Sequence, residues 1–288
     1  MTAELPPRAG RHCHHALNPL HSAVYFTPEL ATELAPYGVE DPAAVYVATR
    51  AAPLGAVGPG AVTATFYNFR HDLVSSALPS VWELASPETV LAARLRAVDG
   101  LLRRLLGEKA LESPEMREAA ELAGRAAEGC VRAGRPLYAA NADLPVPTAP
   151  HLALWHAATL LREHRGDVHL VALQHVELDP LEALASHSAS GRGMTPTFLR
   201  ASRGYSERDW EAALVRLRER ELLTEQGELT EAGQELRAGL ERETDRLDRH
   251  PYEHLGAEGV ARLTELAKGF TTTLLEGGAF PAEIFGRG

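Results

Sequence analysis

The chain of 288 residues is poor in several things at once. It has two cysteines, Cys13 and Cys130, neither in a CxxC pair, so no disulfide framework is required and both read as free thiols. Lysine occurs only at Lys109 and Lys268, and aromatics make up 6% of the chain. No apolar run approaches the roughly 18 residues needed to cross a bilayer. The N-terminus has no charged segment leading into an apolar stretch and a cleavage site, so a cytoplasmic protein with no membrane partner is expected. GxGxxG after a strand, a P-loop, GxSxG and HExxH are all missing, which leaves nucleotide-dependent and common hydrolase mechanisms without support. Positive charge is also short. A net charge of −10 opposes binding to phosphate backbones, so nucleic acid is disfavoured unless a local basic patch exists.

What is present is apolar and periodic. Hydrophobic residues make up 45% of the chain, enough for one large or two modest cores. Proline behind a capping residue opens several helices: Asp41-Pro42, Ser86-Pro87 and Ser113-Pro114 predict helices over 41–50, 86–106 and 113–133. The prolines at 145, 147 and 150 mark a joint between an N-terminal helical domain, 1–140, and a second domain, 151–288. In the second half a helix over 151–164 is expected to break at Arg165-Gly166-Asp167. Short helices at 169–174 and 180–187, a Ser/Gly stretch at 188–195 and a helix at 206–221 follow.

The run Leu214 to Gly233, ending in Leu229-Thr230-Glu231-Ala232-Gly233, resembles the MarR-type winged-helix pattern of helix, short strand, wing and further helix. The resemblance implies a mainly α fold with a degenerate winged helix and a small β-hairpin wing in the C-terminal half, and a homodimer. A repeated order of arginine-ended helix, glycine turn (51–55; 165–167) and tryptophan (Trp82; Trp210) suggests a second copy in the N-terminal half. DNA-reading members of that family carry Arg or Lys on the recognition helix and wing tip. Here the run 168–187 has neither, and the wing tip is Glu225-Gln226-Gly227-Glu228. Arg208, Arg216, Arg218 and Arg220 alternate with acids and read as a solvated, salt-bridged face. The whole chain is also similar to an actinobacterial helix-turn-helix family found near natural-product pathways. The residues behind this are Arg50 to Gly55, Phe66-Tyr67-Asn68-Phe69, Leu161 to Asp167 with His169, and Glu241 to Asp245. The resemblance assigns no reaction.

Two constellations carry chemistry. His164, Asp167 and His169, folded together by a break at Gly166, would make an acid–base set or hold a divalent metal; alternatively Arg165 and Asp167 simply pair across the turn. Trp155 and His156 lie on the same stretch. The second constellation is aromatic. Phe66, Tyr67, Asn68 and Phe69, with Tyr25 and the inward-facing His21, could line an apolar pocket or merely fill a core, and Arg50 could hold a ligand carboxylate or close an internal ion pair. The leading expectation is a small-molecule-binding protein or enzyme acting on an apolar, aromatic, natural-product-like ligand. Its pocket would lie between the halves, lined by the aromatic set and His21 and made polar by Arg50, His164, Arg165, Asp167 and His169. A MarR-like ligand-responsive regulator is the alternative, and a helical interaction module without a pocket a third.

Overall fold

The computed structural model describes residues 4–285 and is mainly helical. Proline does much of the punctuation. Eight helices open with proline at the first helical position, where its missing N–H has no partner to lose and its φ is already helical. Five of these also have a side-chain cap, from Asp41, Ser86, Ser113, Asp179 or Thr195. The three expected proline-led helices form as Pro42–Ala51, Pro87–Leu106 and Pro114–Glu128. No helix among the described residues is long and apolar enough to cross a membrane.

Two apolar cores share one axle, the central helix Pro150–His175. Its first half gives Leu154, Trp155, Ala157, Ala158 and Leu161 to a large core with the N-terminal helices. Its last turns give Ala172 and Leu173 to a smaller core with the helices Pro180–Ala189, Glu207–Glu219 and Glu231–Leu247. The last long helix, Ala257–Glu276, returns to the first core and packs along the helix Ala9–Ser22. The cores therefore do not divide at the joint expected near residues 141–150.

The expected break at Arg165-Gly166-Asp167 is absent, because the central helix runs straight through it. A lone glycine costs a helix only about 1 kcal/mol relative to alanine. Burial of Glu163, His164, Arg165, Asp167 and Val168 on several sides of that turn outweighs it. The aromatic run at 66–69 closes the helix Pro59–Phe66 and leaves it at Tyr67, whose φ is 59°. The N-terminal half thus contains no hairpin, among the described residues, to match a second winged helix.

The wing is also corrected. Among the described residues no strand forms, and the expected hairpin is an isolated bridge between Leu223 and Leu229. Each arm is about three residues long, too short for a ladder beyond the pairs Thr224–Glu228 and Leu222–Thr230. Gly233 explains why this turn sits so tightly. A Cβ there would run into the Leu222 carbonyl oxygen and stand 3.1 Å from a Leu229 methyl. Helix propensity alone would make Gly233→Ala stabilising. Overpacking against fixed backbone reverses the sign, so this substitution is expected to destabilise by about 2 kcal/mol, read as a lower urea midpoint. An unchanged or higher midpoint would mean the turn is not seated on the helix.

Candidate functional site

A cavity of about 1060 Å³ opens where the N-terminal helices meet the segment 194–203 and the chain end, at the upper limit of small-molecule sites. One wall comes from the N-terminal helix and the turn after it, with His21, Tyr25 and Phe26. The helix Pro42–Ala51 supplies Tyr46, Val47 and Arg50, and Phe69 follows. Facing them are Phe198 and Arg203 from the helix Pro196–Arg203. The chain end closes the side: Phe280 and Phe285 gather around Phe26, with ring centroids 5.1 and 6.4 Å from it. Thr195 N–H donates to the Ile284 carbonyl at 2.8 Å, and Met194 bridges Phe285.

Several polar groups at the cavity are held by named partners. The Thr159 hydroxyl donates to the Trp155 carbonyl at 2.9 Å, so its oxygen accepts from His21 Nδ1–H, also at 2.9 Å. This leaves His21 Nε2 as the acceptor atom. Burial holds His21 neutral, pulling it down to about 3 although Glu163 acts in the opposite sense. Trp155 lies behind His21, stacked on it at 6.5 Å and donating its indole N–H to the His21 carbonyl. Arg50 lies 4.3 Å over the Phe66 ring and donates to Glu163 at 3.3 Å, so it closes an internal ion pair. Burial pushes Glu163 up, but the charges of Arg50 and Arg162 outweigh it and hold the carboxyl at about 2.

Arg203, which sequence reasoning missed, is the more exceptional cation. Its guanidinium lies 4.3 Å over Phe69 and 5.7 Å from the Tyr46 ring centre, and donates to the Ser202 hydroxyl at 3.1 Å. Among the described residues it has no carboxylate partner. Burial lowers its pKa, and the nearby Arg50 and Arg162 lower it further against the opposing pull of Tyr46.

The expected residues thus divide. His21, Tyr25, Arg50 and Phe69 line the cavity, with Phe66 and Trp155 directly behind them. Tyr67 turns to the smaller core and donates its hydroxyl to the Leu178 carbonyl. Asn68 and His156 are not on the lining, and His156 is buried and lowered to about 4 by that burial and by Arg94. His164, Asp167 and His169 do not converge. His164 Nδ1 lies 2.6 Å from Asp248 Oδ1, Asp167 accepts from the Tyr138 N–H at 3.0 Å, and His169 pairs with the Thr244 hydroxyl. Arg165 binds Asp245 and Glu241, each at 2.9 Å, rather than Asp167. Without the break at Gly166 nothing folds this set together. Among the described residues no three His, Cys, Asp or Glu side chains gather closely enough to hold an ion.

The winged-helix-like segment also differs from expectation. Val168 belongs to the central helix, and the unit that follows is Pro180–Ala189, Pro196–Arg203 and Glu207–Glu219, the first packing on both others. The middle helix was missed. The arginines of this segment do form a partly solvated, salt-bridged face, but their partner lies on another helix: Arg216 and Arg220, with side chains 42% and 33% exposed, bind Glu182, which is 4% exposed, and Arg218 reaches the carbonyls of Thr224 and Glu225. What that helix leaves outward is Arg208 among Glu207, Glu211 and Glu219, with Ala212 and Val215. Acids outnumber cations there as they do at the turn tip.

No curated protein and no solved structure matches the chain. A family model described as a helix-turn-helix family matches residues 10–281. Three short helices in succession after a capped start, carried on a scaffold that this match spans almost from end to end, place the chain in that helix-turn-helix family.

Proposed function

We propose that this protein binds an apolar or aromatic small molecule in the cavity between its halves, as a carrier or as an enzyme, with the helix-turn-helix unit serving as one wall. The observation that supports this most is the cavity itself: aromatic on most sides, with His21 and Arg203 held in place by their neighbours. His21 Nε2 is a neutral acceptor in an apolar surround, suited to a ligand hydroxyl or amide. The neutral dye N-phenyl-1-naphthylamine, which brightens when buried, tests the cavity. Ala43 lines the wall near the start of the helix Pro42–Ala51, and Ala43→Trp places an indole in the space. Saturable binding to the full chain is expected, weakened at least about tenfold in that variant. Dye binding that ignores the substitution, or no binding at all, would remove the proposal.

A second reading, a ligand-responsive regulator of MarR type, is favoured by one observation besides family membership. The helix Pro196–Arg203 belongs both to the cavity wall and to the helix-turn-helix unit, so occupancy could bias the position of the latter. The acidic outward face opposes it. Retardation of the DNA upstream of its own gene in a low-salt gel, released by ligand, would establish the regulator over the carrier.

A further inference from the structure

We propose, building on that cavity reading, that the ligand is a monocarboxylic acid with an aromatic or alicyclic body, its carboxylate gripped by Arg203. Three guanidiniums border the cavity: Arg50, Arg162 and Arg203. One buried carboxylate, Glu163, faces them. It is committed to Arg50 at 3.3 Å and lies 3.8 Å from Arg162. The acid on the lining itself, Asp41, is exposed and caps its own helix through the Ala44 N–H at 2.8 Å. Arg162 is about a third exposed and screened by water. Arg203 is likewise only half-buried, but of the three it alone has no carboxylate within reach among the described residues, so the charge left without a counterion is that of Arg203.

Half-buried against two aromatic rings, such a charge loses part of its hydration and gains from an anion that pairs with it. Stacking on Phe69 and Tyr46 fixes the guanidinium plane and leaves its edge to donate, and the Ser202 hydroxyl takes one N–H. A fixed guanidinium edge matches a carboxylate as two parallel N–H···O bonds. A monoanion cancels the single excess charge, whereas a phosphate dianion would bring a second negative charge with no buried cation to meet it. The aromatic lining then takes the body of the acid.

The test is displacement of N-phenyl-1-naphthylamine from the full chain by three competitors that share a naphthalene body: 2-naphthoate, 2-naphthalenemethanol and 2-naphthyl phosphate. The acid is expected to compete at least about tenfold better than the alcohol, and the phosphate no better than the acid. In Arg203→Met the advantage of acid over alcohol should shrink to about twofold while the alcohol itself is unaffected; Arg203→Lys, which keeps the charge but loses the fork, should fall between. Should Arg203→Met fail to fold, the wild-type and Arg203→Lys comparisons decide. Acid and alcohol equal in the wild type would overturn the carboxylate assignment while leaving the cavity reading intact. A phosphate preferred by about tenfold would replace carboxylate with phosphate. Failure of the neutral dye to bind would overturn both readings.

Discussion

Glu163→Ala is expected to lower stability by about 3–5 kcal/mol, the range found when one member of a buried ion pair is removed. The side chains of Glu163 and Arg50 are 3% and 13% exposed. Without the carboxylate, Arg50 keeps only the face of Phe66 as a partner, and Arg162 and Arg203 add repulsion across the cavity. The pair itself is not the source of that loss. Replacing both members with apolar groups, as in Arg50→Met with Glu163→Leu, removes the stranded charge and should recover much of the stability. Urea titrations of the two variants beside the wild type give the answer. A cost below about 1 kcal/mol for the single variant would mean that water reaches the pair as freely as at a surface.

Mild acid should destabilise the protein before most of its carboxylates titrate. His21 is held at about 3, and His156, His169 and His187 at about 4, in each case first by burial. A histidine depressed in the folded state binds its proton more readily when unfolded. Between about pH 6.5 and 4 the unfolded chain therefore takes up more protons from these four groups, and stability falls with pH. Asp167, raised by burial to about 7, and Asp248, also raised by burial, act in the opposite direction, since their folded-state protons add stability that disappears as pH rises. His14 and His15 are lowered by burial as well, and six depressed histidines against two raised acids leave the histidines ahead. A loss of several kcal/mol between pH 6.5 and 4.5 is expected, since a tenfold difference in proton affinity between the folded and unfolded chain carries about 1.4 kcal/mol. A urea midpoint that holds constant over that interval would refute it.

Much of the local structure is legible in the sequence because proline and its caps mark helix starts by a mechanism that tertiary packing rarely overrides. Asp41-Pro42, Ser86-Pro87 and Ser113-Pro114 were readable for that reason. Thr195-Pro196 carries the same signal, hidden by the Ser/Gly stretch in front of it, and the helix it opens supplies Arg203. Gly166 misled in the other direction: its propensity cost is local and small, while the burial around it is not visible from spacing. Once that turn is helical, His164, Asp167 and His169 point to separate partners. Part of the cavity wall could be read because Phe69 belongs to an aromatic run after a helix end and Arg50 precedes a turn. That Arg203 stacks on Phe69 depends on a contact between residues far apart in sequence, which periodicity cannot report.

The segment docked through Ile284 and Phe285 also governs how the protein should be handled. Any bulky group attached at Phe285 would stand beside the cavity opening. A bulky fusion there competes with the seating of Phe280 and Phe285 on Phe26, and ligand screens run on such material would sample an altered opening. A handle placed ahead of the N-terminal helix leaves that seal to form as the sequence encodes it.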